Sequence, residues 1–113
     1  MPLELDPLLA SLEALGHPRL VAVRLYKEGF RGRRGHGLHC PLARFVACST
    51  GALHAEATSD LIVVRHLSRT EVRTLPPTLK DFVDWFDMGR YPELVEPHPG
   101  WLPRERQNVE LSS

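Results

Sequence analysis

The sequence predicts a small α+β domain, and three observations carry that reading. Leucines recur at helical spacing near the start. The β-branched run DLIVVRH, from Asp60 to His66, is too short for a helix of that composition. Further on, Leu79, Phe82, Val83 and Phe86 recur at i, i+3, i+4 and i+7. A chain of 113 residues is the size of one compact domain. Residues 1–96 are assigned to that domain, and residues 97–113, rich in proline and then polar, to an extended tail.

Taken in order, the first helix is expected to start at Asp6-Pro7, where an acceptor side chain caps it and proline fits the first turn. It runs to Leu15, with Gly16 closing it and Leu5, Leu8, Leu9, Leu12 and Leu15 on its buried face. Gly16-His17-Pro18 starts a second helix over Arg19 to Glu28, which Gly29 stops and Phe30 follows with a hydrophobic contact. Glycines 29, 32, 35 and 37 then surround Arg31, Arg33 and Arg34 in a mobile, basic loop. Pro41 opens a short helix to Ser49 with Leu42, Phe45 and Val46 as its apolar stripe and Gly51 as its end. A two-stranded antiparallel hairpin follows, pairing 60–66 with Thr70 to Leu75 across Leu67-Ser68-Arg69. Pro76-Pro77 starts the C-terminal amphipathic helix, with Lys80, Asp81, Asp84 and Asp87 on its wet face and Gly89 at its end. Tyr91 to Val95 adds one helical turn. The core expected from these patterns is Leu9, Leu12, Leu20, Val21, Leu25, Leu42, Phe45, Val46, Ile62, Val64, Val72, Leu79, Phe82, Val83 and Phe86.

Fourteen basic and fourteen acidic residues give a net charge of zero, so the chain as a whole exerts no long-range pull on nucleic acid or anionic membrane. The distribution is uneven. Four arginines and no acid lie between Gly29 and Ala55, whereas Asp81, Asp84, Asp87, Glu93 and Glu96 crowd the stretch after Pro77. Two cysteines make no disulfide scaffold, and MPLELDPLLA lacks the basic start and apolar run of a secretory signal, so a cytoplasmic setting is expected. No apolar run approaches the roughly 18 residues of a membrane span.

Three pieces in this order, GFRGRRG over 29–35, CPLAR over 40–44, and LPP at 75–77 with FDMGRYPEL over 86–94, resemble a group of small uncharacterised proteins of actinobacteria and their mobile elements. The resemblance spans roughly residues 25 to 95. It implies one compact domain in an intracellular bacterial setting and carries no activity over.

Candidate chemistry concentrates between Phe30 and Gly51. His36, His39, Cys40 and Cys48 are zinc-binding residue types, but zinc knuckles bring ligands in close pairs, whereas the two cysteines stand two helical turns apart. Cys40 at a helix start beside arginines is expected to have a lowered pKa. The phosphatase loop, however, needs five residues between cysteine and arginine, and Arg44 follows four positions after Cys40. Asp81, Asp84 and Asp87 share one helix face and read as its solvated side. No catalytic residue, metal ligand or cofactor is therefore assigned. The strongest signal is the arginine loop, whose donors suit phosphate or carboxylate. The chain is read as a non-catalytic module that binds a protein partner through Arg31, Arg33, Arg34, His36, His39 and Arg44. The alternatives are a nucleic-acid-binding accessory protein using the same loop and a zinc- or cysteine-dependent enzyme. Trp101 is expected either to strap back over the core or to dock on another chain.

Overall fold

The structure, a computed structural model, describes residues 2–96; the tail with Trp101 lies outside the described residues. Four helices and a three-stranded sheet run in the order α1 (Leu5–Glu13), α2 (Pro18–Lys27), α3 (Pro41–Thr50), β1 (His54–Ala57), β2 (Leu61–Arg65), β3 (Thr70–Thr74) and α4 (Pro77–Asp87). Single 3₁₀ turns at Gly37–His39 and Pro92–Leu94 complete the elements of the described residues.

Prolines mark three helix starts, because the first helical positions have no carbonyl to receive their N–H groups. Pro18, Pro41 and Pro77 all sit there. The His17 side chain adds a cap by accepting the Arg19 N–H at 3.0 Å. The first helix begins one residue before the expected Asp6 cap, at Leu5, and ends at Glu13, so Leu15 is only half-buried. The helices α2 and α4 end alike. Gly29 and Gly89 adopt φ of +88° and +86°. The next residues close the 6→1 bonds, Phe30 N–H to the Leu25 carbonyl and Arg90 N–H to the Trp85 carbonyl, at 3.0 Å each.

The sheet order is β1-β2-β3, antiparallel throughout. The expected hairpin is thus two-thirds of a sheet, and β1 is the strand that the sequence pattern does not predict. Its sequence HAEA offers the core only Ala55 and Ala57, small residues with weak strand preference. The register faces Ala55, Ala57, Ile62 and Val64 inward against α3. Opposite Val64 and Ile62 on β3 stand Glu71 and Arg73, so β3 carries charge on the inner face and Val72 on the outer one. Val72 is accordingly 51 % exposed, not core. Leu20 is also exposed, because the buried stripe of α2 runs through Pro18, Val21, Ala22 and Leu25 and leaves position 20 beside it.

The remaining expected core residues are buried, and Leu5, Leu8, Cys40, Leu75, Tyr91 and Leu94 join them. Packing of α2 and α1 on α4 builds the helical half. There the Phe82 ring stacks between Phe86 at 6.2 Å and Tyr91 at 5.5 Å.

Candidate functional site

Phe30, packed edge-on to Phe45 at 5.3 Å, anchors the chain as it leaves α2. Two residues later Gly32 forms a parallel bridge with Val95. Its N–H donates to the Leu94 carbonyl at 2.8 Å, and its carbonyl accepts from the Glu96 N–H at 2.9 Å. A Cβ at Gly32 would overlap the His39 carbonyl oxygen and come within 2.7 Å of the Pro41 nitrogen, so only glycine fits this crossing. The Arg33 N–H then donates to the His39 carbonyl at 2.8 Å. A loop read as mobile from its glycines is stitched to the C-terminal segment on one side and to the start of α3 on the other.

That stitching places the side chains. Arg33 Nε donates to the Glu96 carboxylate at 2.8 Å, and Arg44 Nη2 reaches the same oxygen at 3.4 Å. Arg44 also donates through Nη1 to the Arg31 carbonyl at 2.9 Å and lies 2.9 Å from His39 Nδ1. A guanidinium has no acceptor, so His39 Nδ1 accepts and its proton sits on Nε2. Burial works against the ionised Glu96 carboxylate, but the Arg44 and Arg33 guanidiniums outweigh it and hold the group below the usual carboxylate range. Arg34 turns the other way. Its Nε donates to the Asp87 carbonyl at 3.0 Å, setting a positive charge at the negative end of α4, while the Gly35 N–H donates to the Asp87 carboxylate at 2.9 Å. Arg31 stacks on Tyr26, its guanidinium 4.1 Å from the ring centre.

Of the six residues singled out in the sequence, Arg33 and Arg44 therefore converge on Glu96, His39 joins them through Arg44, and Arg31 and Arg34 spread to either side. His36 is exposed, its ring 6.0 Å from that of His39. The partners Glu96 and Asp87 lie more than 50 residues away in the chain, and no local spacing points to them. Around these arginines Tyr26, Leu38, Met88 and Val95 are exposed apolar surface.

Cys40 is corrected by its surroundings. The thiol is 3 % exposed, and burial pushes its pKa up to about 11, outweighing the backbone N–H groups of Ala43 and Leu42 and the Arg44 charge that favour the thiolate. A neutral, buried thiol is a poor nucleophile. Cys48 is exposed, so the four zinc-type residues are divided between core and surface. Among the described residues no group of three or more His, Cys, Asp or Glu side chains is arranged to hold a metal. Asp84 pairs with Lys80 at 3.3 Å, which suits a wet helix face.

Elsewhere among the described residues, two concavities bear on the site. One of about 340 Å³, between Pro2–Asp6 and the β2–β3 turn, contains the 2.8 Å contact of His66 with Glu71. Arg69 and Arg73 also flank that carboxylate, which leaves it saturated by neighbours. The other, of about 290 Å³, is lined by His17, Trp85 and Tyr91, but Arg90 and Arg19 already cover the latter two rings. Among the described residues no helix is long and apolar enough to cross a membrane. No family model, curated protein or solved structure matches the chain.

Proposed function

We propose that this chain is a non-catalytic interaction module of a bacterium or its mobile elements. In this reading it works in the cytoplasm and holds an acidic surface of a protein partner against Arg31, Arg33, Arg34, His36, His39 and Arg44. The observation that supports it is that the guanidiniums are positioned without being consumed. Glu96, the Asp87 carbonyl and the Tyr26 ring fix them in place, yet half of the Arg33 side chain stays exposed. Arginines pre-ordered in this way lose little side-chain entropy on binding. Exposed Tyr26 and Met88 beside them give the mixture of arginine, aromatic and methionine that protein interfaces favour.

A nucleic-acid partner fits this arrangement less well. Glu96 is shared by Arg33 and Arg44 and offsets part of their charge, and Arg31 already covers the Tyr26 face on which a base would stack. The test is a photo-cross-linking residue at position 88, used in cells with the otherwise unchanged chain and with Arg33→Ala/Arg34→Ala. One discrete protein adduct is expected, and it should disappear in the double variant while the fold persists. Titration with random duplex and single-stranded oligonucleotides provides the opposing arm. Tight binding there, with log affinity falling steeply against log salt and the double variant flattening the slope by about 1 to 2, would replace the protein partner by a nucleic acid.

A further inference from the structure

The two edges of the sheet are treated differently. At β1 the edge is closed by the 3₁₀ turn, where even a Cβ on Gly37 would approach the Ala57 carbonyl to 2.8 Å. At β3 no described residue pairs with the outer edge. Leu75 N–H donates to the Asp60 carbonyl and the Arg69 carbonyl accepts from His66 N–H. Residues 69, 71, 73 and 75 therefore turn their backbone groups toward β2, and Thr70, Val72 and Thr74 turn theirs outward.

The strand reads Thr70-Glu71-Val72-Arg73-Thr74. Laid antiparallel on itself about Val72, it sets Thr70 against Thr74, Glu71 against Arg73, and Val72 against Val72, with every pair complementary. We infer that β3 joins β3 of a second copy of this chain about a two-fold axis through Val72, making one continuous six-stranded sheet. Thr70, Val72 and Thr74 of each copy supply the outward donors and acceptors. On the outer face the Val63–Val72 pair of one copy continues into that of the other. On the inner face Arg73 bonds Asp6 at 2.8 Å, flanks its own Glu71 at 3.5 Å and holds Nη1 3.0 Å from its own Val72 carbonyl; in the pair it gives up that carbonyl to the ladder and turns Nη1 to Glu71 of the second copy.

Charged residues on the inner face of an edge strand ordinarily repel foreign strands. Here their order makes the same device selective, since an antiparallel strand carrying arginine then glutamate in the facing positions makes two opposite-charge contacts where a like charge would be repelled. Within one copy Glu71 is already flanked by His66, Arg69 and Arg73, so across the axis the contact with its own Arg73 is exchanged for one with Arg73 of the second copy. None of these residues belongs to the arginine loop, so the inference stands apart from the proposed function.

Sedimentation velocity on the full chain over a concentration series tests it. The mass is expected to rise from 12.8 kDa to twice that value. Val72→Pro removes only an outward N–H and should hold the chain at the monomer mass with its circular dichroism intact. If that variant does not fold, Glu71→Arg and Arg73→Glu decide the matter. Each should be monomeric alone, and an equimolar mixture should regain the dimer. In a Cys48→Ser background, Val72→Cys should form an intermolecular disulfide on mild oxidation, because a hydrogen-bonded pair places its Cα atoms about 5.5 Å apart. Thr74→Cys, off the axis, should not. A wild-type chain that stays monomeric throughout overturns the inference, as does a folded Val72→Pro dimer or cross-linking at 74 in place of 72.

Discussion

Cys40 shows how burial can reverse a reading based on position. A helix N-terminus and nearby arginine favour a thiolate, and that much was legible in CPLAR. What the spacing could not show is that the side chain enters the core, where desolvation dominates. A thiol reagent should label Cys48 rapidly in the folded chain and reach Cys40 only on unfolding, which a timed labelling experiment with and without denaturant reads directly. The folded Cys40 thiol also holds its proton more tightly than the unfolded one. Its contribution to stability is therefore complete below about pH 9, the ordinary value, and is lost as pH climbs toward about 11. The loss is on the order of 2 to 3 kcal/mol. Denaturant titrations between pH 7 and 11 should fall more steeply for the wild type than for Cys40→Ala, and identical slopes would show the thiol to be hydrated.

At the scale of elements, α4 was the most legible part of the chain, because its apolar residues repeat over two full turns and prolines and glycine mark its ends. Its capping was not legible. Pro76 offers no side-chain acceptor, and the carboxylate of Glu13, at the end of α1, accepts the Thr78 N–H at 3.0 and 3.1 Å and the Leu79 N–H at 3.2 Å. One helix end thus caps another, with negative charge at the positive end of α4. Glu13→Ala should cost roughly 0.5 to 2 kcal/mol by chemical denaturation, with Glu13→Gln recovering part of it. Fully buried Phe82 and Phe86 set a larger scale: either one replaced by alanine should cost about 3 to 5 kcal/mol, against less than about 1 for Asp84→Ala. The strand β1 is unmarked in the sequence for the complementary reason. Two alanines at alternate positions carry almost no hydrophobic signal, and a partner strand and α3 are needed to give them a place.

Across the whole molecule, the arginine loop depends on contacts between residues 31–44 and 87–96, a separation no local pattern reports. The cluster itself was readable from its composition, whereas its fixation was not. Glu96 is the joint between the two segments, and its depressed pKa makes that joint sensitive to acid. The stabilisation it supplies is present above the ordinary carboxylate pKa and is lost as pH falls through the lower folded value. Glu96→Gln should accordingly remove a pH-dependent part of the stability at the acid end while leaving the neutral fold in place.

The arginine loop is a rigid platform, and backbone amide hydrogen exchange tests this most directly. The buried Gly32 N–H, bonded to Leu94, and the Glu96 N–H, bonded back to Gly32, are expected to exchange slowly and together, protected to a degree approaching that of α3. Exchange of both at the rate of an unstructured chain, with α3 still protected, would show a loop that is not held and would contradict the account.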